Sequence, residues 1–89
     1  MKKITLQPQE CIGNSTFSGQ IVYTKAFYEI FQDKTSEVIL ASMSLIFDLV
    51  RMNVADYLQV LTVEINRATT KFWVIDDGEY VTFLLPKDY

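Results

Sequence analysis

Asp76-Asp77-Gly78-Glu79 is the only carboxylate cluster in the sequence. Three acids around a glycine suggest a hard-cation site, because calcium and magnesium take oxygen ligands. The spacing argues against it: a calcium loop alternates its ligands and closes on a distal glutamate, and this segment does neither. Asp76, Asp77 and Glu79 are therefore expected at a solvated turn, available as an acidic contact for a basic partner surface. The chain has no histidine, so the usual general base near neutral pH and the commonest zinc ligand are both missing. Cys11 is the single cysteine. As a nucleophile it would need a neighbouring base or a lowered pKa, and the sequence offers neither. It is expected to be an incidental thiol that could link two copies under oxidation. There is no glycine-rich phosphate loop, no paired CxxC and no Ser-His-Asp set. The expectation is a protein that is not an enzyme and holds no cofactor and no metal.

Residues 1–89 are expected to form a single small domain, with 1–17 as an extended N-terminal arm. A compact chain of this length should have a radius of gyration of roughly 12 Å. Hydrophobic residues make up 49% of it and aromatic residues 13%, which is more apolar material than a small core readily hides. The formal net charge of −3 is unevenly placed. Up to Val54 five cations balance five anions, whereas from Ala55 onward three face six. The Lys2-Lys3 pair is the nearest approach to a basic cluster, too little for a phosphate-binding footprint. Those lysines could imitate the start of a secretory leader, but Ile4 to Glu10 turns polar at once. With no leader expected and one unpaired thiol, the chain reads as cytoplasmic, and the sequon Asn14-Ser15-Thr16 as unmodified. The apolar run Val38–Val50 is too short for a bilayer and is interrupted by Ser42, Ser44 and Asp48, so no membrane span is expected.

Lys3–Leu6 alternates and stops at Pro8, which suits a short edge strand. From Gly19 to Asp33 the residues Val22, Tyr23, Ala26, Phe27, Ile30 and Phe31 recur at helical spacing, with Ser18 as N-cap. A strand over Thr16–Thr24 competes, since Ile21 to Thr24 favour β structure. Ser36–Met52 predicts a strongly apolar helix, capped by Thr35 or Ser36 and closed by Asn53. Its polar stripe holds only Glu37, Ser44, Asp48 and Arg51, so two or three of its sides should be covered. In Val54–Ala68 the positions Val54, Tyr57, Leu58, Leu61, Ile65 and Ala68 align as one helical face. The β-branched run Leu58–Ile65 supports a strand instead, and the helix is preferred. Lys71–Ile75 and Tyr80–Leu85 then predict a hairpin turning at Asp77-Gly78, ended by Pro86. The fold class expected is α+β: about three helices, the central one strongly apolar, with a C-terminal antiparallel hairpin and a short N-terminal strand docked on it. The alternative is a helical hairpin packed on an antiparallel sheet of three or four strands.

Alternation in the hairpin sends Phe72 and Val74 to one face and Trp73 and Ile75 to the other, leaving both faces apolar. A partner covering one of them would meet Trp73, Tyr80 and Phe83 as aromatic anchors. Leu45, Phe47, Leu49 and Met52 of the apolar helix are the candidates for self-association. The favoured reading is a small protein-protein interaction module acting as adaptor, inhibitor or assembly factor and pairing with itself, a dimer first. Three helices followed by a hairpin resemble a winged-helix domain in element order, which would imply a DNA-binding transcriptional regulator. Its recognition helix would present Asp56, Gln59, Thr62, Asn66 and Arg67, and acids at the wing tip would repel phosphate, so nucleic acid is not the expected partner. A small apolar-ligand binder is a third, weaker reading.

Overall fold

A computed structural model describes residues 2–89, Lys2 by its backbone alone. The chain runs β1 (Lys2–Leu6), β2 (Gln20–Tyr23), α1 (Lys25–Phe31), α2 (Thr35–Arg51), β3 (Leu58–Ile65), β4 (Ala68–Asp76) and β5 (Tyr80–Leu84). Short 3-10 turns at Gln32–Lys34 and Pro86–Asp88 complete it. The five strands form one sheet in the order β1-β3-β4-β5-β2. Every pairing is antiparallel except β2 with β5.

α2 lies where Ser36–Met52 predicted it, and its stripe Val38, Ile39, Ser42, Met43 and Ile46 is buried against the sheet. Asn53 adopts the left-handed conformation (φ 58°) that ends it, with its N–H on the carbonyl of Val50. Neither Thr35 nor Ser36 caps it, because the 3-10 turn runs directly into its first residue. One side is covered rather than two or three: Leu45, Leu49 and Val50 are half-buried, and Leu40 and Met52 are exposed.

The expectation of about three helices is overturned. There is one long helix, preceded by the two-turn α1, beside a five-stranded mixed sheet. Val54–Ala68 is not helical. It contributes β3, whose Gln59, Leu61 and Val63 are buried in strict alternation. The helical alignment misled because a spacing of four residues is one turn of helix and also an even step along a strand. Leu61 and Ile65 satisfy both. The decision comes from pairing: β3 is hydrogen-bonded on both sides, to β1 and β4. The winged-helix order falls with that helix. The alternative also misses, since the sheet has five strands and a parallel pair.

Gly19–Asp33 divides in two. β2 takes the β-branched half, and α1 begins after Thr24, whose hydroxyl accepts the N–H of Phe27 at 3.2 Å. Thr24, not Ser18, is the N-cap. The C-terminal hairpin forms as expected, with Ile75 opposite Thr82 and Gly78 at φ 95° in its turn. The N-terminal strand does not dock on that hairpin but pairs with β3 at the far edge, leaving β5 to take β2.

Both helices cover the same sheet face. Phe27 and Phe31 of α1 meet Phe72 and Phe83 from beneath, with ring centroids between 4.7 and 6.2 Å apart. Leu61, Val63, Val74 and Val81 complete the sheet side of this core. The radius of gyration is 12.3 Å.

Candidate interaction surfaces

With both helices on one side, the strands present their other set of side chains outward. Register places them in rows. Leu58, Ile75, Thr82 and Val22 lie side by side across four strands. Val60, Trp73 and Leu84 form the next row, and Thr5, Thr62 and Lys71 the row after it. Leu84 is buried, whereas Leu58, Val60, Trp73, Ile75 and Val22 are half-exposed. Two segments reach this face: Tyr89 sets its ring edge-on to Trp73 at 5.4 Å, and the Gln7 amide donates to the hydroxyl of Thr62 at 3.3 Å. A sheet face open to water usually alternates to polar residues, and this one does not.

The aromatic anchors expected from the hairpin therefore separate. Trp73 and Tyr80 belong to the uncovered face, Tyr80 at its exposed margin. Phe83 belongs to the core and has no accessible surface. Val22, Leu58, Val60 and Ile75 extend the patch beyond the residues singled out from the sequence. Alternation within β4 already assigned Ile75 to this side. The other three required β2 and β3 to be recognised as strands.

The acidic cluster also separates by role. Asp76 points back into the fold. Its Oδ2 accepts the hydroxyl of Ser15 and the N–H of Phe17 (2.9 Å), and its Oδ1 accepts the N–H of Gly78 (2.9 Å). Partial burial by itself would raise the pKa of Asp76, but the bonds from Ser15, Gly78 and Phe17 outweigh it and hold the carboxyl below its ordinary value. This anchor lets Phe17 turn inward at φ 48° and fill the core. Asp77 accepts the N–H groups of Glu79 and Tyr80 and closes the turn. Asp77 and Glu79 are both exposed, and Glu79 is in no ion pair among the described residues. No group of three or more metal-ligating side chains comes together among the described residues. Cys11 is exposed on the loop between β1 and β2.

A second clamp holds the same loop. Gln9 accepts the N–H of Asp56 (3.0 Å) and the amide of Gln59 (2.8 Å), while its own amide donates to the carbonyl of Val54. Gly13 packs so closely on Ala55 that a Cβ there would lie 2.7 Å from its carbonyl oxygen. The segment expected to be an extended arm is thereby tied to the start of β3 and the end of β4, which lie side by side.

On α2 the self-association candidates diverge as well. Leu45 and Leu49 pack against the core. Phe47 (37% exposed) and Met52 point outward, and Leu40 (71%) joins Phe47 two turns away on the same ridge. A third apolar group, Ile21, Tyr23 and Tyr28, lies at the free edge of β2, with the two tyrosine rings stacked 6.3 Å apart.

For a small ligand, one concavity is a cleft of about 370 Å³ between the 3-10 turn after α1 and the β3–β4 turn end of the sheet, lined by Ile30, Phe31, Val63 and Ile65. Asp33 and Lys34 at its rim are its only charged residues. No helix among the described residues is long and apolar enough to cross a membrane. Comparison with known proteins gives no match to a family model, to a curated protein or to a solved structure.

Proposed function

We infer that this chain is a non-catalytic protein-interaction domain of adaptor, inhibitor or assembly type, and that the uncovered sheet face is its principal contact surface. One observation carries this reading: Val22, Leu58, Val60, Trp73 and Ile75 form a continuous apolar patch on a face with no helix over it. Tyr80, Lys71 and Thr62 border that patch and Thr82 lies within it between Ile75 and Val22, which gives a largely apolar centre with a polar margin, as in a binding interface. The absence of histidine and the use of Asp76 and Asp77 as acceptors for backbone N–H groups support the non-catalytic reading. The single thiol fits a reducing compartment, and the cytoplasm is the proposed location.

The winged arrangement on which a DNA-binding role depended is not formed, and the acidic turn would face phosphate with like charge. A protein partner is favoured over nucleic acid for that reason. The test is affinity capture from native lysate with two baits, the wild-type chain and Ile75→Lys. Partners retained by the first and lost by the second support the uncovered face. Equal capture by both baits would move the contact elsewhere on the molecule.

A further inference from the structure

We propose that the chain forms a two-fold homodimer by antiparallel pairing of its β2 edges, centred on Val22. This deepens the interaction reading above but uses a different surface, so the two stand or fall separately.

The backbone sets the register. The N–H groups of Gln20 and Thr24 donate to the carbonyls of Glu79, just before β5, and of Phe83 within it, at 3.1 and 3.0 Å. Strand alternation then turns the N–H and C=O of Ile21 and Tyr23 away from the sheet, where they have no strand to meet. In an antiparallel ladder two residues that exchange both bonds stand directly opposite one another. A two-fold axis at Val22 places Ile21 opposite the partner's Tyr23, and Tyr23 opposite the partner's Ile21. Both outward-facing residues of each copy are thereby satisfied.

The two sheet edges differ in how they resist such pairing. β1 opens with Lys2 and Lys3 and is followed by Pro8, features that keep strands from adding to an edge. β2 has no charge, proline or glycine from Gln20 to Thr24. Its side chains are correspondingly exposed, Ile21 at 42% and Tyr23 at 49%, with Tyr28 stacked behind. In the proposed register Ile21 packs against the partner's Tyr23 on the helical face, and the two Val22 side chains meet on the other.

Charge complements the register. Lys25 follows the end of β2, and Glu79 flanks its beginning through the Gln20–Tyr80 pairing. A two-fold interface must match itself, with each residue meeting the other's counterpart. The axis at Val22 brings the partner's Lys25 opposite Gly19, just beyond which Glu79 lies. Gly19 has no side chain to intervene, and a Cβ there would stand 2.6 Å from the Glu79 carbonyl oxygen. Both charges are exposed and neither is in an ion pair among the described residues. Pairing through β2 also joins the two uncovered faces into one surface twice as wide.

A single short edge makes a small interface, so the dimer is expected to depend on concentration. Light scattering on a size-exclusion column, run over a dilution series at low salt, should show the mass rising from 10.3 kDa toward twice that value. Lys25→Glu and Glu79→Lys should each weaken association about tenfold, and the double reversal should restore it. Ile21→Pro removes an outward N–H without touching the ladder to β5 and should leave a monomer whose circular dichroism is unchanged. Should Ile21→Pro fail to fold, the exposed charge reversals still decide. A monomer at every concentration overturns the proposal and leaves the capture experiment with Ile75→Lys unaffected. A dimer indifferent to all three substitutions also overturns it. One abolished by Ile75→Lys instead would place self-association on the uncovered face.

Discussion

Asp76 joins segments that lie far apart in the chain, and its charge is what holds them. Three donors converge on its carboxylate, from Ser15, Phe17 and Gly78. Its pKa in the folded protein lies below the ordinary 3.8. The stabilisation is therefore complete above that value and is lost as pH falls through the lowered one. Asp88, held by the N–H of Leu85 and the hydroxyl of Thr24, is displaced in the same direction. Asp76→Asn should cost about 1–2 kcal/mol at neutral pH, the usual range for bonds to a charged acceptor reduced for partial exposure. Urea unfolding at neutral pH and at about pH 3 would check this, because the gap between wild type and variant should narrow as the carboxylate is protonated. A gap of equal size at both would mean that the charge is irrelevant. From the sequence, Asp76 and Asp77 resembled Glu79, a surface acid free for partners. What distinguishes them is where the Ser15–Phe17 loop passes and which N–H groups the turn directs at them, and composition records neither.

Among the elements, β3 and its turn into β4 were the hardest to read. Two-residue hairpin turns of this kind need positive φ at both central positions and normally announce themselves as Asn-Gly or Asp-Gly. Here they are Asn66 (φ 52°) and Arg67 (φ 71°), and an arginine gives no such signal. The Asp76–Glu79 turn, with its glycine, was legible for the same reason that this one was not. Arg67→Gly should relieve the left-handed strain and raise stability by about 0.5–1 kcal/mol, less whatever flexibility the unfolded chain gains. Thermal unfolding at matched concentration would show it, and an unchanged or lower midpoint would mean that Arg67 makes a compensating contact. The boundary between β2 and α1 follows a similar logic. Ile21 to Tyr23 favour a strand and Lys25 to Phe31 a helix, and Thr24 supplies the cap where one becomes the other. A single periodicity drawn across both halves blurred that junction.

At the scale of the whole molecule, a one-sided arrangement of helices divides the β4 side chains into two kinds. Phe72 is at the centre of the phenylalanine cluster, and Trp73, one residue on, faces away from it. Phe72→Ala should cost about 3–5 kcal/mol, a large share of the roughly 5–15 kcal/mol that holds a domain together. Trp73→Ala should cost much less stability but should impair partner capture by the uncovered face. Denaturant midpoints for the two variants, set beside capture by the Trp73→Ala bait, separate core from contact surface. Equal destabilisation by both substitutions would mean that the tail at Tyr89 makes the second face a core in its own right.

The sequence by itself determined the apolar helix, read at Ser36–Met52 and formed at Thr35–Arg51, the C-terminal hairpin with its alternating faces, the lack of histidine, and the surplus of apolar side chains. Each of these is written in local spacing or in residue type. Tertiary structure decided the rest. Whether 58–65 is a strand, which strands stand at the edges, which aromatic residues are buried and which acids are free all depend on pairing between segments distant in the chain. Residues four apart fit a helix and a strand equally well, and only the neighbours β1 and β4, bonded to both sides of β3, choose between them.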